Sequence, residues 1–94
     1  MKTTYIGTFA LTDEQKSKLE VIISRATGDD GCNYSVEIRN FPDFEMISIK
    51  VYPPDGNYYV SFHILELQDM GKILGMNFKF CDLLTRGLEL TFMK

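Results

Sequence analysis

The stretch Phe44–Leu67, FEMISIKVYPPDGNYYVSFHILEL, decides how this chain is read. Its first half alternates Ile47, Ile49 and Val51 with Phe44, Met46, Ser48, Lys50 and Tyr52, and its second half sets Tyr58, Val60, Phe62 and Ile64 against Tyr59, Ser61, His63 and Leu65. Successive side chains of a strand point to opposite faces, so each half predicts a strand with one buried side. The intervening Pro53-Pro54-Asp55-Gly56 has turn chemistry, with Gly56 suited to a left-handed residue at the end of the loop. The expectation is a β-hairpin with a four-residue loop at 53–56.

Upstream, Thr3 to Ala10 is rich in β-branched and aromatic residues and predicts a first strand, with Gly7 marking a bulge or a close backbone approach. Thr12 and Gln15 form a capping box, Asp13 and Glu14 place negative charge at the positive end of the helix dipole, and Leu19, Ile22, Ile23 and Ala26 follow at helical spacing. Arg25 and Gly28 are stop signals, and Asp29-Asp30-Gly31 reads as a turn. From Cys32 to Arg39, Tyr34, Val36 and Ile38 alternate with polar residues, and Asn40-Phe41-Pro42-Asp43 supplies the next turn.

Requiring the apolar sets to share one face then pairs Val36 with Ile47 and Ile47 with Phe62, and Tyr34 with Ile49 and Ile49 with Val60. Downstream, Leu67, Met70 and Leu74 suggest a helix from about Leu65 to Gly75 despite Gly71. Asn77 to Gly87 reads either as a short helix with Phe80, Leu83 and Leu84 inward or as a strand through Asn77 to Cys81. Leu88, Leu90 and Phe92 alternate in a closing strand.

The expected fold is therefore a single α+β domain over residues 1–94. Its elements run β-α-β-β-β-α-β, with a mainly antiparallel sheet and both helices on one face, near a ferredoxin-like layout. A length of 94 residues and an apolar fraction of 45% suffice for one core without staples.

Composition narrows the function classes. The net charge of −3 is mild, and the lysines and arginines are scattered, so no footprint for a nucleic-acid backbone stands out. Cys32 and Cys81 are far apart, and the N-terminus opens into a strand-like run without a leader. The apolar runs are far shorter than the roughly 20 residues of a membrane span. A soluble, cytoplasmic, reduced protein without membrane contact is expected. One histidine and two distant cysteines do not make a four-ligand metal site, and no motif calls for a cofactor.

With the helices on one face, the hairpin register lines up three rungs on the other: Asn33, Lys50 and Tyr59; Ser35, Ser48 and Ser61; Glu37, Met46 and His63. Such a mixed face suits a protein partner. The expected function is a non-enzymatic interaction module, of inhibitor, antitoxin-like or adaptor kind, binding through this face or a strand edge. Lys50, Tyr59, His63, Met46 and Glu37 are the candidate contacts, with Tyr52 at the rim. Self-association into a homodimer through a free edge is a further expectation. One alternative stacks single-stranded nucleic acid on Tyr59, Tyr52 or Phe44. The other is a small enzyme using His63, with Glu37 to orient it and Ser61 or Ser48 as nucleophile.

Overall fold

The structure is a computed structural model, and it describes residues 1–28, 34–54 and 60–94. Helix α1 (Asp13–Thr27) starts where the capping box sets it: the Gln15 amide donates to Thr12 Oγ1 at 3.1 Å and the Thr12 amide to Gln15 Oε1 at 2.8 Å. Gly28 ends it in the left-handed region at φ 63°. Leu19 and Ile23 are fully buried and Ile22 partly so. Strand β1 (Lys2–Ile6) is shorter than the predicted run. It stops at Gly7, where a side chain would press on the Asn40 backbone, and Asn40 Nδ2 donates to the Thr8 carbonyl. The phenol of Tyr5 donates to Glu20 Oε2 at 3.0 Å, tying β1 to α1.

Strands β2 (Ser35–Phe41) and β3 (Met46–Tyr52) are antiparallel, but the loop between them lies two residues later than predicted. Asn40 and Phe41 remain in the ladder, and Pro42, which has no N–H to continue it, opens a short 3₁₀ turn, Pro42–Phe44. Glu45 follows in left-handed conformation at φ 48°. Val36 consequently faces Val51 and Ile38 faces Ile49. The predicted partners, Ile47 for Val36 and Ile49 for Tyr34, are off by four positions. An even slip leaves every side chain on its predicted face.

The second half of the predicted hairpin is where sequence and structure part. Asp55 to Tyr59, and with them the end of the predicted turn, lie outside the described residues, as do Asp29 to Asn33. Val60 to His63 is not a strand, and helix α2 (Ile64–Leu74) begins directly after it. The Ser61 amide donates to the Ala26 carbonyl at 3.1 Å, so this segment is tied to the end of α1 rather than to β3. Glu66 accepts from the His63 amide at 2.9 Å and fixes the helix start. The alternation of Val60 to Leu65 was a pattern that the helical spacing of Leu67, Met70 and Leu74 overrode.

Residues Asn77–Leu84 form strand β4, so the strand alternative holds there rather than the short helix, and Thr85-Arg86 turns the chain into β5 (Gly87–Met93). Among the described residues the chain thus runs β-α-β-β-α-β-β, with no strand at Val60 to His63 and two strands after the second helix. The result is a small α+β domain with a five-stranded mixed sheet ordered β1-β2-β3-β5-β4. Among the described strands only β1 and β2 pair in parallel. The β3-α2-β4 crossover leaves a gap that β5 fills, as in a split βαβ unit, whereas β1 and β2 lie side by side.

One apolar cluster joins Leu19 and Ile23 of α1 and Leu67, Met70 and Leu74 of α2 to Val36, Ile38, Ile47, Ile49, Val51, Leu88, Leu90 and Phe92 of the sheet. Val60 and Phe62 pack against it from irregular backbone. Phe78 meets Phe92 edge-on at 5.6 Å.

Two substitutions test this packing. A methyl on Gly71 would lie 2.6 Å from the Met76 carbonyl oxygen, where the chain turns from α2 into β4. Helix propensity alone favours alanine there by about 1 kcal/mol. Steric conflict reverses that sign, and we expect Gly71→Ala to lower stability by about 1–3 kcal/mol in urea titration. Thr3 lies opposite Val36 with its hydroxyl buried and without a hydrogen-bond partner among the described residues. Thr3→Val keeps the shape and removes the orphan, and should raise stability by about 1 kcal/mol in the same assay.

Candidate functional site

The core claims alternate residues of β2, β3 and β5, which leaves the intervening ones on a face that neither helix covers. The register assembles this face rung by rung. Thr4, Glu37, Lys50, Glu89 and Asp82 form one rung, and Ile6, Arg39, Ser48, Thr91 and Phe80 the next. Phe41, Met46, Met93 and Asn77 form a third. Tyr52 pairs with Ser35 on the far side of the charged rung.

The centre of this face holds two small side chains. Ser48 and Thr91 are adjacent and only 3% and 4% exposed, although no helix lies over them. Their small side chains form a floor, and the larger neighbours Lys50 and Glu89 on one side, Met46 and Met93 on the other, and Arg39 and Phe80 at the ends make the rim. Ser48 Oγ donates to Glu89 Oε2 at 2.6 Å, and Arg39 Nη2 lies 3.3 Å from Glu37 Oε1. Lys50 sits between Glu37 and Glu89 on neighbouring strands, so the rung alternates in sign from Glu37 across to Glu89.

Four of the six predicted contact residues share this face: Glu37 and Lys50 are directly paired, and Met46 and Tyr52 flank them. Tyr59 lies outside the described residues. His63 does not belong to the site, because it precedes the first turn of α2 instead of standing in a strand beside Met46. The serine rung dissolves in the same way: Ser35 faces Tyr52, Ser61 is bonded to the end of α1, and Ser48 alone reaches the centre. No serine–histidine pairing of Ser48 or Ser61 with His63 and Glu37 is assembled. Phe44 is exposed in the 3₁₀ turn at the edge of the face.

Sequence reasoning missed Glu89, Thr91, Met93, Phe80 and Asp82. The signal for the first three was available, since Leu88, Leu90 and Phe92 needed apolar partners and β3 could supply them. Cys81 is an exposed free thiol on β4; partial burial and then the Asp82 carboxylate push its pKa up. Cys32 lies outside the described residues. Among the described residues, no three His, Cys, Asp or Glu side chains gather as metal ligands, and no helix is long and apolar enough to cross a membrane.

No protein-family model, curated protein or solved structure gives a significant match to this chain.

The hydrogen bond from Ser48 to Glu89 links floor and rim. Ser48→Ala leaves the carboxylate without that donor, and we expect a loss of about 1–2 kcal/mol in urea titration. Glu89→Gln, which keeps an acceptor oxygen, should cost less.

Proposed function

We propose that this chain is a non-enzymatic protein-interaction module, of inhibitor, antitoxin-like or adaptor kind, that takes a protein partner on the uncovered sheet face. The observation that carries this reading is the buried pair Ser48 and Thr91 on a face without a covering helix, ringed by Arg39, Lys50, Glu89, Met46, Met93 and Phe80. Strand backbones hold the rim residues, so little backbone ordering is needed on binding. Methionine and aromatic side chains beside charged ones match the composition of protein interfaces. The alternating rung of Glu37, Lys50 and Glu89 offers a partner a defined charge pattern, which favours choice of partner over raw affinity.

The test uses a partner captured from the native cell and then purified. Lys50→Glu combined with Met46→Ala should weaken its binding by about a hundredfold, with the folded signal in circular dichroism unchanged. Undiminished binding by that variant would remove the face from consideration. A control on the opposite surface, Lys18→Glu on α1, should bind like the unaltered protein.

A further inference from the structure

Strand β4 forms an edge of the sheet, and among the described residues no other strand lies along its outer side. It is eight residues long, and Leu83 and Phe80 on it are 85% and 50% exposed. An edge of this length with exposed apolar side chains is a template for another strand. Lys79, a charged residue placed at a bulge, is a common guard against such pairing: Phe78 faces Phe92 and Phe80 faces Thr91, so Lys79 is the extra residue. Asp82 stands three residues further along. We propose that this edge selects a second copy of the same chain, with the two β4 strands pairing antiparallel about a two-fold axis at Cys81.

Symmetry and charge choose the centre. Directly opposed residues of an antiparallel pair share a face, so a two-fold pairing of identical strands centres on one residue. Centring on Asp82 sets two carboxylates against each other, which is unfavourable. Centring on Phe80 brings the two bulges together and interrupts the ladder. Centring on Cys81 pairs Phe80 with Asp82 of the second copy and places Lys79, next to Phe80 at the bulge, within reach of that carboxylate. The contact occurs twice by symmetry. The same two charges that repel a strand of unmatched sequence are complementary to their own copy in this register. With Lys79 as the extra residue, Phe78 then opposes Leu83 and Asn77 opposes Leu84, so the overlap takes in Asn77 to Leu84 of each chain and joins the two sheets into one of ten strands.

The pairing does not rest on the partner reading above: Asp82 ends the Lys50 rung, but sedimentation of the purified protein alone reads the dimer with no other partner present. In sedimentation equilibrium from about 1 to 500 µM under reducing conditions, the protein should shift from 10.8 kDa towards twice that mass. Lys79→Asp sets carboxylates against Asp82, and Asp82→Lys sets ammonium groups against Lys79. Each should weaken the dimer about tenfold or more, and the double exchange Lys79→Asp/Asp82→Lys should recover its strength to within about threefold. In a Cys32→Ser background, air oxidation catalysed by copper–phenanthroline should link the two Cys81 thiols as a disulfide, with the two electrons and two protons passing to dioxygen. Opposed strand residues lie about 4.5–5.5 Å apart, inside the range a disulfide spans. A protein that stays monomeric throughout, or a double exchange no tighter than the single variants, would overturn the proposal.

Discussion

The pairing of β3 with β5 is the constraint on which the rest of the molecule depends. Ile49 faces Leu90 there, with Ile38 on its other side, and all three are essentially removed from water. Ile49 and Leu90 are 41 residues apart in the chain, so closing this contact costs more entropy than a local hairpin, by an amount that grows only slowly with loop length. The return is the burial of Leu88, Leu90 and Phe92 along one strand, at roughly 1.5–3 kcal/mol per side chain. It also frees Ile64 to Leu74 to form the helix that their spacing favours. A hairpin over Phe44 to Leu67 would have cost less to close and buried less.

That choice sets the chemistry of the uncovered face. With β5 beside β3, the neighbours of Lys50, Ser48 and Met46 are Glu89, Thr91 and Met93. With the local hairpin they would have been Tyr59, Ser61 and His63. The face remains mixed in either case, because alternation on β3 alone decides which of its residues leave the core. What changes is the centre of the face: a rung of three serines becomes one serine beside one threonine, with the Glu89 carboxylate hydrogen-bonded to Ser48.

Some features were legible in the residues and others were not, for separable physical reasons. The start of α1 was legible because a capping box is local: Thr12 and Gln15 satisfy each other within three residues. The parity of β2, β3 and β5 was legible because a period of two fixes which residues face the core, and even the slip of four between Val36 and Val51 kept it. Strand neighbourhood was harder to read, since both Val60-Phe62 and Leu90-Phe92 present apolar residues at the same period and nothing within those two stretches ranks them. The helix pattern after Leu65 was the decisive sign, because a helix starting at Ile64 leaves no room for a strand through Leu65. Four of the candidate contacts share the uncovered face because they sit on β2 and β3, whereas His63 depended on a strand neighbour that the fold does not supply.

The two edges of the sheet differ in a way that follows from the same pairing. β1 has five residues, is paired in parallel with β2, and is tied to α1 through Tyr5 and Glu20. β4 is longer, bulged and largely exposed, because α2 packs near its start and β5 occupies its inner side. Of the two, β4 offers the longer run of free backbone, and its charges sit three residues apart at Lys79 and Asp82. Extension of the sheet at that edge would keep the uncovered faces of both copies on one side, because opposed residues across an antiparallel pair share a face. Asp82 and Phe80 belong at once to the edge and to the rungs of Lys50 and Ser48. Pairing at β4 would therefore continue the rim around each Ser48 and Thr91 pair into that of the other, and a partner seated on one would meet both.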